Sequence, residues 1–256
     1  MRKSANTAHK LAPIITFLLL LLLWEAGVRV YQIKPWILPG PLAVANALVK
    51  ETPLLLTHTA ATLLEALSGF FIAIVLALLL GIILNSSQLL HKAIYPLLII
   101  SQTIPLIVLA VLFTIWFGWG ITPKIIIVVL VCFFPITINL MEGINSVDPD
   151  QINLFRSMGA SNFTIFRMVK FPSALPAFFS GLRIAATYSI MAAVIGEWLG
   201  AQKGLGYFMT LKQKSFAIDE VLAAVIIICL LSFLLVKIVD LAEYFLLPWN
   251  RIEEIS

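Results

Sequence analysis

The stretch Asp150–Arg183, DQINLFRSMGASNFTIFRMVKFPSALPAFFSGLR, decides how the rest of the chain is read. Its first half is polar and its second half apolar, so the two halves belong to different environments. Ile152 to Met158 predicts a short helix. Gly159 stops that helix as a C-terminal cap, because a residue without a Cβ enters the left-handed region freely. Ser161 offers an N-cap hydroxyl to a second short helix running to about Val169. Phe171-Pro172 is expected to end this helix, and Pro176 to open a long apolar one at a first-turn position that tolerates proline. Leu154, Phe155, Met158, Phe163 and Phe166 give the two short helices an apolar surface. On a loop outside a bilayer, such a surface predicts the docking of a partner protein.

The apolar half of that stretch is one of several. Hydrophobic residues make up 61% of the 256, and charged residues only 12%. A water-soluble domain carries roughly 25% charged residues to coat its outside, and lipid removes that requirement. A spanning helix needs about 20 mostly apolar residues. Six segments meet that length: Pro13 to Tyr31, Thr59 to Leu84, Ile94 to Phe117, Thr122 to Met141, Leu175 to Leu199, and Glu220 to about Val239. The run after Arg2, Lys3 and Lys10 reads as a retained first span, since no small-x-small cleavage pattern follows it. A short helix is expected from Leu42 to Glu51. Residues 1–256 read as a single transmembrane domain, with the polar connection at about 142–175 as its main loop.

Six spans put both termini on one side. If that side is the cytoplasm, nine basic residues lie inside and seven, Lys124 among them, lie outside. This bias favours cytoplasmic termini. The net charge of +4 is scattered and forms no nucleic-acid footprint. Cys132 and Cys229 lie within apolar runs and read as buried thiols, not as a disulfide framework.

Much chemistry is missing from the chain. It has no G-x-x-x-x-G-K-[ST] phosphate loop, so it does not hydrolyse ATP itself. Gly204-Leu205-Gly206 reads as a turn before a helix. His9, His58 and His91 are far apart, near span edges, and belong to no zinc-protease pattern; structural or interfacial roles are expected for them. Charged residues inside spans point to function by default. Glu65 and Arg183 lie one to two turns inside the second and fifth spans, where they could pair or face a solute. Glu25 and Glu197 lie at span ends, where a carboxylate is expected to reach water. Glu65, Arg183 and Glu197 are the candidate pathway residues.

The spacing in 150–183 resembles the cytoplasmic loop of permeases from binding-protein-dependent ABC importers. That loop follows the pattern E-A-A, three residues, G, nine residues, I-x-L-P. Asn153-Leu154-Phe155 occupies the E-A-A place, Gly159 the glycine, and Val169-Lys170-Phe171-Pro172 the ending. Glycine and proline match; the triplet departs from the pattern. Trp24-Glu25, Leu38-Pro39-Gly40-Pro41, Gly69-Phe70, Ile104-Pro105, Trp116-Phe117-Gly118, Gly181-Leu182-Arg183, Glu197-Trp198-Leu199-Gly200 and Gly204-Leu205-Gly206 are similar to the branch carrying nitrate, taurine, aliphatic sulfonates and thiamine-precursor pyrimidines. The stretch from Phe178-Phe179-Ser180-Gly181 through Gly196-Glu197-Trp198 looks most like the hydroxymethylpyrimidine-type permeases.

The resemblance implies an all-α, type I ABC importer permease fold in a bacterial inner membrane. It implies a coupling helix that carries Asn153, Leu154, Phe155, Ser157, Met158, Gly159 and Ala160, with Pro172 closing the motif. The implied partners are two copies of an ATP-binding subunit, an extracytoplasmic solute-binding protein, a second permease copy and membrane lipid. No cofactor is implied for this chain. Ile104-Pro105 and the Gly118/Gly120 pair are candidate weak points for switching. Three alternatives make other demands: an ion-coupled secondary transporter, a membrane scaffold and an intramembrane enzyme. The first predicts acidic relays and an internal repeat, the second needs no punctuated loop, and the third needs convergent titratable groups.

Overall fold

The computed structural model describes residues 2–251. The side chains of Arg2, Lys3, Lys10 and Arg251, and those of His9 and His91, lie outside the described ones. In chain order the α-helices are α1 (Arg2–Val30), α2 (Pro41–Lys50), α3 (Thr52–Ser86), α4 (Gln88–Ser101), α5 (Leu106–Phe117), α6 (Ile121–Asn145), α7 (Pro149–Ser157), α8 (Asn162–Ile165), α9 (Phe171–Trp198), α10 (Leu205–Lys214) and α11 (Ile218–Leu246). No strand occurs among the described residues.

Five helical stretches are long and apolar enough to cross a bilayer: Ala12–Val30, Thr52–Asn85, Ile121–Asn145, Asn162–Trp198 and Ile218–Leu246. The expected third span departs from the reading of a single helix. It is two pieces, Lys92–Ser101 and Leu106–Phe117, bent by 96°. Ile104-Pro105 is the cause. Proline has no N–H for the helical ladder and forces the residue before it out of the helical region. Gln102 N and Thr103 N bond back three residues, to Ile99 O and Ile100 O, which closes α4. Pro105 then adopts φ −58°, ψ 125° and starts α5 as its N-cap.

A second departure lies at Pro172. It does not end the second short helix; Asn162 to Trp198 is continuous. Residues 166–170 form a π-helical turn, in which Phe171 N–H bonds to Phe166 O. The extra residue in that turn spares the ladder the donor that Pro172 lacks, so the helix passes through the proline without breaking.

The core is built on α3, α6 and α9. Ala66, Ala73 and Ala77 of α3 are fully buried beside Val128, Ile136 and Leu140 of α6 and Ala185, Ala186 and Ala193 of α9. Without a hydrophobic drive between helices in lipid, small residues let backbones approach and gain dispersion contacts. Gly181 shows how close they come: a Cβ there would stand 2.7 Å from Pro135 O and 3.0 Å from Ile136 Cα. Cys132 is buried in this core, with Sγ 3.4 Å from Ala185 O. Cys229, expected to be buried as well, is exposed on α11, because an apolar run in lipid can turn either face outward.

The two ends of the bundle differ. At one end Val44 and Ala47 of α2 pack with Leu55, Val194, Leu205, Phe208, Ala223 and Ala224. Lys212 clamps this end. It lies 3.6 Å from Glu51 and also bonds Glu220, joining α10 to the α2–α3 junction and to the first turn of α11. The other end carries α7 and α8.

Candidate functional site

The α6–α9 connection forms as its residues dictate. Asp148 accepts the Asp150 N–H at 2.8 Å, and Pro149 opens α7. Asp150 in the first turn and Arg156 in the last suit the helix dipole. The helix ends in a Schellman motif: Ala160 N–H bonds to Phe155 O at 3.0 Å and Gly159 N–H to Arg156 O at 2.9 Å. Gly159 holds φ +80°, and nothing lies within 4 Å of where its Cβ would be. Backbone conformation, not crowding inside this chain, favours glycine there. Ser161 Oγ accepts the Thr164 N–H at 3.2 Å and caps α8.

This connection projects an apolar surface. Leu154 is 58% exposed, Met158 75% and Phe163 71%. Phe155, Ala160, Phe166 and Pro172 are half-buried, and Asn153, Ser157 and Gly159 are exposed. α8 continues into α9 through the π-helical turn, so Phe163 and Phe166 stand on the same continuous helix as the α9 core residues. Lys170 ties the same region to Asn85 at the end of α3, at 3.5 Å.

Glu65 and Arg183, the two charges placed inside the spans, do not pair with each other. Glu65 bonds Lys124 Nζ at 2.7 Å, with both side chains buried. Lys124 is therefore not an external surface charge; its removal from that side widens the basic bias toward the side of the termini. Arg183 turns toward α11, bonding Glu243 and lying 3.6 Å from Asp240. Glu25 bonds Arg29 at 2.6 Å and accepts the Leu42 N–H at 3.4 Å.

Glu197 was expected to reach water, yet it is 1% exposed. The cause is α10, which folds back over the end of α9. Its first three N–H groups need partners, as at any helix start. Gly204 N–H bonds to His58 Nδ1 at 3.0 Å, Leu205 N–H to Thr62 Oγ1 at 2.8 Å, and Gly206 N–H to Glu197 Oε2 at 2.6 Å. Thr62 in turn donates to Glu197 Oε1 at 2.6 Å. The His58 ring also packs against Phe208, with centroids 5.5 Å apart. Side chains from α3 and α9 thus cap α10 in place of a residue of its own. Sequence reading did not join His58 and Thr62 to Glu197, or Lys124 to Glu65. The available signal was Lys124, a lone cation just inside the apolar run of α6.

Residues 69–252 match the family described as the inner membrane component of binding-protein-dependent transport systems. The chain belongs to that family. The permease is 38% identical over 242 residues to the formylaminopyrimidine transport permease protein ThiX of Halalkalibacterium halodurans, covering 94% of this chain and 96% of the relative. It is 35% identical to the riboflavin transport system permease protein RibX of Chloroflexus aurantiacus, covering 92% and 89%. It is 29% identical to the taurine transport system permease protein TauC of Escherichia coli, covering 92% and 88%.

In fold, the permease matches a crystallised amino acid ABC transporter chain with a TM-score of 0.61 at 19% identity, covering 78% of this chain and 95% of that one. It also matches the inward-facing MetNI methionine ABC transporter with a TM-score of 0.55 at 22% identity, covering 74% and 94%. The type I ABC importer permease fold follows. Permeases of this kind work with a solute-binding protein and an ATP-binding subunit, and ATP hydrolysis belongs to that separate subunit. The permease is therefore a multi-pass transporter subunit and not an enzyme.

Proposed function

We propose that this permease imports a pyrimidine-type thiamine precursor, driven by two copies of an ATP-binding subunit that receive the α7–α8 surface. The observation that carries the coupling is the exposed apolar set Leu154, Met158 and Phe163, of which Phe163 lies on the helix continuous with α9. Lipid does not account for these side chains, because Asn153, Arg156 and Ser157 share the same short helix and need water or a polar partner. Asn153, Leu154, Phe155, Ser157, Met158, Gly159 and Ala160 form the contact, and Pro172 with its π-helical turn passes motion into the bundle. This end faces the cytoplasm, together with both chain termini, in a bacterial inner membrane. A second copy of the permease completes the pore, and a solute-binding protein docks at the opposite end, near α2 and α10.

For the solute, support comes from the relative named for formylaminopyrimidine transport, which matches almost end to end. The relative named for taurine transport is less similar. The test is purification of the tagged permease from native membranes with its partners, followed by uptake in proteoliposomes. Equal amounts of permease and ATP-binding subunit, with ATP-dependent uptake of 4-amino-5-hydroxymethyl-2-methylpyrimidine, are expected. A permease that remains alone after crosslinking in the membrane would refute the coupling surface. Uptake of taurine, an aliphatic sulfonate or nitrate in place of the pyrimidine would refute the solute.

A further inference from the structure

The bend between α4 and α5 leaves Gln102 to Pro105 outside any helix. Within a bilayer, irregular backbone is tolerated only where protein covers it or where it borders a cavity. Here it borders a cavity of about 650 Å³, walled in part by Gln102, Phe134, Asn139, Tyr188 and Met191. That size falls within the roughly 300–1,000 Å³ of small-molecule sites, which are mostly apolar with a few placed polar groups.

The side chains lining this cavity are uncharged throughout. Neither Glu65, Arg183 nor Glu197 is among them. Arg183 precedes the lining residue Ile184, but it is engaged with Glu243 and Asp240 on α11. An anion or zwitterion entering here would lose hydration with no counter-charge to replace it.

The polar groups present suit a neutral ligand. Asn139 Nδ2 donates to Pro135 O at 2.8 Å, which leaves its carbonyl oxygen and second N–H for a ligand. Ser101 and Thr103 spend their hydroxyl protons on Leu98 O and Ile100 O, leaving acceptor lone pairs. No hydrogen bond is made by the Gln102 amide or the Tyr188 hydroxyl among the described residues. Phe134 and Tyr188 add aromatic surface. The close approach of Gly181 to Pro135 and Asn139 holds α6 and α9 in register at the cavity wall.

We propose that this cavity is a solute site within the membrane and that it takes an uncharged, planar heteroaromatic ring. The aromatic faces of Phe134 and Tyr188 stack on the ring, and the amides of Gln102 and Asn139 read its edge. The choice of a pyrimidine as probe rests on the function proposed above.

The test uses the complete transporter, permease with ATP-binding subunit and solute-binding protein, in proteoliposomes. Uptake of radiolabelled 4-amino-5-hydroxymethyl-2-methylpyrimidine, taurine and nitrate is measured below saturation, alongside ATP hydrolysis. Wild type is expected to take up the pyrimidine alone. Tyr188→Ala and Gln102→Leu are each expected to lower that uptake about tenfold, the scale of a lost stacking or polar contact. Tyr188→Phe is expected to retain most of it, and ATP hydrolysis is expected to hold within twofold in all three variants. Pyrimidine uptake within twofold of wild type in both Tyr188→Ala and Gln102→Leu would overturn the site while leaving the proposed function intact. Parallel loss of uptake and ATP hydrolysis would also overturn it, assigning these residues to the packing of the bundle. Uptake of taurine or nitrate by the wild type would overturn the proposed solute and the ligand class together.

Discussion

Thr62 Oγ1 lies 2.6 Å from Glu197 Oε1, although the residues stand 135 positions apart. The same hydroxyl oxygen accepts the Leu205 N–H at 2.8 Å, so one threonine joins α3, α9 and α10. A typical intramolecular hydrogen bond contributes about 0.5–1.5 kcal/mol, and a buried group left without its partner costs about 1–3 kcal/mol. Glu197→Leu leaves Gly206 N–H and the Thr62 hydroxyl without this acceptor. It is expected to lower the melting temperature of the detergent-solubilised permease more than Glu197→Gln, which keeps an acceptor oxygen. Equal melting temperatures for the two variants would show that the cluster does not hold α10.

Lys124 and Glu65 form a buried pair at 2.7 Å. Removing one partner strands the other's charge and costs about 3–5 kcal/mol, while replacing both with apolar groups is close to neutral. Lys124→Met is therefore expected to destabilise strongly, and Lys124→Met combined with Glu65→Leu to recover most of the loss. Thermal unfolding of the two single variants and the double variant measures this coupling. Additive losses would rule it out.

Gly159 holds φ +80° with open space around it. Asparagine tolerates that conformation; a larger residue with a Cβ pays about 1–2 kcal/mol. Gly159→Asn is expected to transport at near wild-type rates, and Gly159→Leu to insert normally while losing transport. Membrane abundance together with uptake separates folding from coupling. Full transport by Gly159→Leu would remove this segment from the coupling path.

Lys212 bonds Glu220 and lies near Glu51. The hydrogen bond to Glu220 raises its pKa above the ordinary 10.5, outweighing the burial that lowers it. A lysine whose pKa is raised on folding contributes stability that is full below the unfolded value and lost as pH rises through the folded one. The melting-temperature gap between wild type and Lys212→Met should stay constant from about pH 7 to pH 9 and narrow above about pH 10.5. A gap that widens there would give the pair the wrong sign.

Much of the molecule was legible before folding. Apolar run length located the spans, because a bilayer sets a minimum length regardless of neighbours. The short helices at 152–169 were legible because Gly159 and Ser161 act within their own turns. Ile104-Pro105 was visible as a weak point, but the 96° bend there was not, since the angle depends on what packs on either side. Pro172 was misread for a related reason: a π-helical turn upstream can absorb a proline, and no local pattern announces it.

The sequence by itself determined the solvent, the number of apolar segments and the capped connection between α6 and α9. Each of these follows from composition or from contacts within a few residues. Only the tertiary structure decided which charges are surface charges. Glu197 and Lys124 stand near the ends of their helices, yet both are buried, because α10 folds over one and α3 supplies Glu65 to the other. Burial at a span end depends on a segment distant in sequence, and hydropathy along the chain carries no record of that segment's position.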